Sequence, residues 1–190
     1  MERRFFSLKT DVYVTGRWYL DDPVDVRGEE IGDVWMFRRG KPVEPPVQLY
    51  IPVSRPGVSL DMDFAGLGLT PVVSARVASV FSEMAPDDVQ LFPVEIQGES
   101  KPFFLLNVTR TIRCIDDAAC EEVQYFSEDD VMPEKAGTYR SVIGLRIDNS
   151  KIDDARVFRL WGYNIPIIVD EDIKIALEAN GISGGKLERV

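Results

Sequence analysis

Asp61 and Asp63, in the segment SLDMDF, are the residues whose type and spacing come closest to chemistry. Positions i and i+2 of an extended strand share a face, so two carboxylates there could hold a divalent metal or divide acid and base roles. The same spacing also describes the wet face of an ordinary strand, which is the commoner origin of paired acids. Other hydrolytic routes lose their usual reagent, because the chain contains no histidine. Histidine is the most frequent general base near neutral pH, the usual partner of Ser or Cys nucleophiles, and the commonest zinc ligand. The glycines of AGLGL, residues 65–69, lack the third glycine and the strand-turn-helix setting of a dinucleotide site, and no Gly-Lys-Ser/Thr occurs, so they read as a turn. Cys114 and Cys120 lack the spacing of a zinc site or a disulfide framework and read as two reduced thiols. No catalytic residue, cofactor or metal is therefore expected.

Charge is the more pronounced chemistry. The chain carries 32 acidic and 22 basic residues, a net of -10. Residues 116–134 hold eight acids and no Lys or Arg, so this short run supplies most of the net charge. An acidic patch repels a phosphate backbone and speeds encounter with a basic protein, so a protein partner is expected rather than a nucleic acid. Tyr125 and Phe126 sit among the acids, and aromatic anchors inside a charged rim have the make-up of an interface hot spot. The expected partner-binding set is Asp116, Asp117, Glu121, Glu122, Tyr125, Phe126, Glu128, Asp129 and Asp130. A purely solubilising loop would have the same composition. Arg3 and Arg4, and Arg38, Arg39 and Lys41, read as solvated strand ends.

The elements that must position these residues predict an α+β fold: one globule, mostly antiparallel sheet, with two principal helices at residues 75–84 and 171–180. Val73, Val77, Val80, Phe81 and Met84 recur at helical spacing behind Ser74, a possible N-cap, and Pro86 stops the first helix. Asp170 caps the second, Glu171 and Asp172 meet its positive end, and Gly181 followed by Ile182 has the composition of a Schellman exit. Strands are expected at residues 5–8, 12–14, 17–20, 34–38 and 58–62. From 103 to 115, Phe104, Leu106, Val108, Ile112 and Cys114 alternate with Asn107, Thr109, Thr111 and Arg113, which predicts one core face and one wet face. A strand pair at 157–169 turns at 162–164, with Pro166 confined to an edge or a bulge. The proline-rich piece from 42 to 56 has room for a short edge strand at 48–51, and it marks a possible boundary between an N-terminal lobe, 1–56, and the remainder, 57–190. No internal repeat is visible. No stretch approaches the ~20 apolar residues of a membrane span, and residues 1–8 are too short on apolar length for a signal peptide, so a cytoplasmic protein with no membrane contact is expected.

The stretch VFRLWGYNIPIIVDEDIKIALEANGISGGKLERV, residues 157–190, resembles the C-terminal signature of family eleven of the immunity proteins of bacterial polymorphic-toxin systems. PDDVQLFPV at 86–94 looks like that family's proline-aspartate entry into a strand, and FFLLNV at 103–108 looks like its next strand. The likeness covers residues 72–190 well and the first 70 loosely. It departs at Leu187, where an aromatic is common, and at Gly184 and Gly185, where a single glycine is usual. These motifs are structural. The resemblance implies a protein that binds and neutralises a cognate toxin domain, and the acidic run adds a basic, nuclease-type toxin as the expected partner. Two other readings remain open at this level. One is a ligand-binding or regulatory module with a pocket near Trp18, Trp35 and Trp161, residues that core packing explains equally well. The other is a carboxylate or metal enzyme at Asp61 and Asp63.

Overall fold

The structure, a computed structural model, describes residues 3–44 and 48–190. The proline-rich piece lies partly outside these, at residues 45–47. In chain order the elements are β1 (Phe5–Thr10), β2 (Tyr19–Leu20), β3 (Leu49–Ile51), β4 (Val53–Arg55), β5 (Met62–Ala65), β6 (Thr70–Ser74) and α1 (Ala75–Met84). Then come β7 (Val89–Ile96), β8 (Phe103–Val108), β9 (Thr111–Ile112), β10 (Glu122–Tyr125) and β11 (Tyr139–Ile143). The chain closes with β12 (Val157–Leu160), β13 (Tyr163–Asp170), α2 (Glu171–Ala179) and β14 (Gly185–Arg189). Two five-stranded sheets, β3-β7-β8-β6-β5 and β14-β1-β13-β12-β9, are accompanied by two short ribbons, β2-β4 and β10-β11. Pairing is antiparallel except at β3-β7 and β9-β12. The expected α+β class and both helices are borne out.

The two sheets share a construction. In the first, the hairpin β5-β6 leads into α1 with no intervening loop, and β7 returns parallel to β6 with β8 between them. In the second, the hairpin β12-β13 leads directly into α2, and β14 returns parallel to β13 with β1 between them. The repeat is absent from the sequence because the fourth strand follows its unit in one case and comes from the start of the chain in the other.

Both helices and one face of each sheet meet in a single apolar cluster. Val77, Val80 and Phe81 of α1 and Ile173 and Leu177 of α2 pack with Met62, Val73, Leu106 and Val108 from one sheet and Phe6, Leu8, Ile167 and Val169 from the other. The outer face of the first sheet is covered by the N-terminal segment, through Trp18, Leu20, Ile31 and Phe37. The outer face of the second is covered by the excursion between β9 and β12, through Cys114, Ile115, Leu145 and Ile147. Burial on both faces corrects the expected wet face of β8. FFLLNV is a continuous apolar run because it is a central strand, and the side-chain amide of buried Asn107 donates to Lys41 O and Gln90 Oε1, while its Oδ1 has no partner among the described residues. Past Thr109 and Arg110 the chain crosses into the second sheet as β9.

The helices are antiparallel and pinned at both ends. Arg76, in the first turn of α1, pairs with Asp61 at 2.7 Å and donates to the carbonyl of Asn180 at the end of α2. Arg156 pairs with Asp170, the N-cap of α2, at 2.6 Å and donates to the carbonyl of Met84 at the end of α1. Asp170 caps as expected, accepting from the Ile173 amide. Ser74 holds the N-cap position of α1, yet its hydroxyl donates to Asp61 instead of capping. Asp88, from the proline-aspartate motif, is buried and accepts from the amides of Arg156 and Val157, tying the exit of α1 to the start of β12.

Other expectations change for physical reasons. Residues 34–38 form a short 3-10 turn at Met36–Arg38 rather than a strand, with Asp33 accepting from the Trp35 amide to start it. Val12 and Tyr13 are exposed in a turn held by Asp11. Of the two settings expected for Pro166, an edge or a bulge, the second is found: β13 is central, and residues 164–166 bulge out between the Arg159↔Ile167 and Leu160↔Tyr163 pairs. Gly181 takes the left-handed φ of 57° that ends α2, and Ile182 packs on the same cluster as Leu177. Gly184 has a φ of 88° and lies so close to β5 that a Cβ would stand 2.2 Å from the Met62 carbonyl oxygen, which requires glycine there. Among the described residues no helix is long and apolar enough to cross a membrane.

Replacing Phe81, fully buried in the shared cluster, by Ala should cost about 3–5 kcal/mol in urea unfolding, whereas Ile175→Ala, on the exposed face of α2, should stay within about 0.5 kcal/mol. The two cysteines are free, and burial pushes the Cys114 thiol up to about 12. Native protein at mildly alkaline pH should therefore react with a thiol reagent at Cys120 alone, and Cys114 should react only on unfolding.

Candidate functional site

Asp61 and Asp63 do not form one site. Asp61 lies just before β5 and accepts from the Ser74 hydroxyl, the Ser183 amide and hydroxyl, and Arg76. Burial alone would raise its pKa, but these donors outweigh it and hold the carboxyl below its ordinary value. Asp63 is buried elsewhere, beside Arg17 at 3.2 Å, and burial raises its pKa against the Phe64 amide and the Arg17 charge. Each carboxylate is engaged by its own cation, so the strand-face geometry that could share a metal is not formed. No cluster of three or more metal-ligating side chains occurs among the described residues. The three tryptophans are also apart in role. Trp18 is core, Trp35 is half exposed on the 3-10 turn, and Trp161 lies at the β12-β13 turn beneath the Arg113 guanidinium, 4.1 Å from the ring centroid.

The acidic run forms the ribbon β10-β11 and the connections around it. Glu122↔Ile143 to Tyr125↔Tyr139 are its paired ends, with a bulge at Gln124/Tyr125. The inner side of the ribbon packs on the second sheet through Cys120, Tyr139 and Val142. Its outer side presents Glu121, Glu122, Glu128 and Asp129, all exposed and none in an ion pair among the described residues. Asp116 is half-buried at the base, and its amide donates to Arg146 O. Asp130 has a different role: it accepts from the Ser127 amide and hydroxyl and pairs with Arg140 at 3.3 Å, and the Ser127 bonds hold its carboxyl below the ordinary range. Asp117 accepts from two phenols, Tyr125 and Tyr139, whose rings stack 4.8 Å apart. Tyr125 is 45% exposed, whereas Phe126 is half-buried with Lys135 above its ring. Val131, at the tip of the connection, is 98% exposed.

Beside the ribbon is a cleft of about 420 Å³ that sequence reasoning missed. Its cations come from separate places: Arg38 and Arg39 from the 3-10 turn, and Lys135 and Arg140 from the ribbon. Its rings are Phe126, Tyr139, Trp161 and Tyr163, and no carboxylate lines it among the described residues. Gly40, with φ 66°, lets the turn approach so closely that a Cβ would stand 2.1 Å from Thr111 Oγ1. Arg38 and Arg39 thus line a cleft wall instead of ending a solvated strand. Behind it lies Arg159, fully buried, donating to the carbonyls of Ile165 and Phe37 and paired with no carboxylate among the described residues. Burial and the Arg38 charge push the Arg159 pKa down to about 9, which leaves it charged at neutral pH. The only trace in the sequence is that Lys135 and Arg140 are the first cations after the acidic run.

The Asp117 carboxylate favours the protonated phenol of Tyr125 and raises its pKa. Asp117→Asn should therefore shift the Tyr125 titration downward, toward the ordinary phenol value of about 10, as read by phenolate absorbance against a Tyr125→Phe control. An unchanged profile would remove Asp117 as the acceptor.

Comparison with curated proteins finds no match. The model of the immunity protein family Imm11 matches residues 22–190, extending the likeness well upstream of residue 72 and into the segment that covers the first sheet. That family's role is toxin immunity, with a cognate toxin as partner, and with this span of the chain matched, the protein belongs to the Imm11 immunity protein family.

Proposed function

We propose that this protein binds and neutralises a basic, nuclease-type toxin domain through the acidic ribbon, stoichiometrically and in the cytoplasm, without catalysis. The observation that carries this reading is the display of Glu121, Glu122, Glu128 and Asp129, exposed and without ion-pair partners among the described residues, around the exposed ring of Tyr125. Toxins that act on nucleic acid need a basic cleft, and such a cleft is attracted over a long range by unpaired carboxylates. The Asp117 bond and the Tyr139 stack hold the Tyr125 ring in place, which lowers the ordering cost of using it as an anchor.

Two separable losses test this against the purified cognate toxin domain, by surface-plasmon kinetics at low and high salt. Glu122→Gln with Glu128→Gln and Asp129→Asn should slow association and flatten its salt dependence, because exposed rim charges steer from a distance and are screened by salt. Tyr125→Ala should instead speed dissociation, costing about 2 kcal/mol as a desolvated anchor. Folded variants that bind and protect like the parent would make the ribbon a solubilising surface.

A further inference from the structure

An acidic protein has concentrated four cations around one cleft, and the charges there are poorly compensated. Arg39 pairs with Asp33 at 2.7 Å and Arg140 with Asp130 at 3.3 Å, but neither acid lines the cleft. The Arg38 guanidinium makes no side-chain hydrogen bond or ion pair among the described residues, and its Nε is buried without a partner. Among the described residues the Lys135 ammonium has only the Phe126 ring beneath it. Arg159, which feels the charge of Arg38, has only carbonyl oxygens as acceptors among the described residues. Holding cations this way is costly unless an anion arrives, and an anion placed there gains from every one of them.

We infer that this cleft is a second recognition site, which receives a carboxylate-bearing segment of the protein partner. This rests on reading the chain as a toxin-binding protein. Three features favour an acidic peptide over a phosphate-bearing small molecule. The guanidinium fork holds a carboxylate or a phosphate alike, but the neighbouring rings accommodate the apolar stems of Glu or its neighbours. The cleft adjoins the acidic ribbon, sharing Phe126 and Arg140 with the segment that carries the carboxylates, so one partner can cover both. The net charge of -10 opposes a long polyanion such as nucleic acid but not a short acidic segment delivered by a basic protein. Acid on the ribbon beside base in the cleft presents a two-signed pattern, which fixes the orientation of a bound partner and repels basic proteins that lack the matching acid.

The inference is testable without the toxin. Tetraglutamate, capped at both ends, would be titrated into the isotope-labelled protein at low salt, following the Trp161 indole signal, assigned through Trp161→Phe. The peptide should shift that signal, and Arg38→Gln with Lys135→Gln should weaken its binding about tenfold or more, while Arg55→Gln, a distant surface change, should leave it unaltered. Capped tetraglutamine should not bind. Equal shifts with tetraglutamine, or unaltered binding by the double variant, would overturn the site. Displacement of the peptide by inorganic phosphate or AMP at equal concentration would overturn the choice of ligand and make this a phosphate pocket. Because the ribbon variants are read against the toxin and the cleft variants against tetraglutamate, the failure of one reading is distinguishable from the failure of the other.

Discussion

The fold depends on the antiparallel contact between α1 and α2. Among the described residues their apolar stripes form the only cluster to which both sheets contribute, so the helices help to determine where the sheets lie relative to one another. At each end an arginine from near one helix start bonds an aspartate at that start and a carbonyl at the end of the neighbouring helix. These contacts satisfy terminal carbonyls that would otherwise lack partners, and they place a cation at each negative helix end. Asp61, which looked by spacing like half of a reactive pair, is part of this clasp. Its chemistry is spent on holding Ser74, Ser183 and Arg76 together.

With the helices buried between them, the sheets have no inner wet face, and the outer faces are covered by segments with little regular structure. The N-terminal segment covers one and the excursion carrying the ribbon covers the other. The ribbon is thus built as a cover. Its inner side supplies core residues such as Val142 and Cys120, leaving its outer side free to carry charge. The cleft forms where the edge of that cover meets the β12-β13 turn and the 3-10 turn at Met36–Arg38.

What was legible in the sequence follows this division. The helices were readable to within a residue because their stripes repeat at 3.6 and their ends carry Asp170, Pro86 and Gly181. β8 was placed correctly but its environment was not, since Asn107 looks wet and is in fact buried between Lys41 O and Gln90. The strand expected at 34–38 failed because Asp33 turns the backbone locally, overriding the apolar run of Val34, Trp35 and Met36. The acidic run was visible as composition, but not that Asp130 braces a loop or that Asp117 joins two phenols. The cleft was invisible, because its walls are three segments brought together only by tertiary packing, and a buried arginine such as Arg159 looks in sequence like any other strand charge.

The place of β1 has a consequence for the order of events in the cell. Phe5 and Leu8 pair with Asp170 and Ile167, and Phe6 and Leu8 pair on the other side with Arg189 and Leu187. A ribosome that has made the first sheet has therefore left β1, with its apolar side chains, without either neighbour until β13 and then β14 emerge. Local hairpins can close during synthesis, but this strand must wait for contacts that span nearly the whole chain, the slowest kind to form. The ribbon and cleft rest on the sheet that β1 completes, so a half-made chain offers neither.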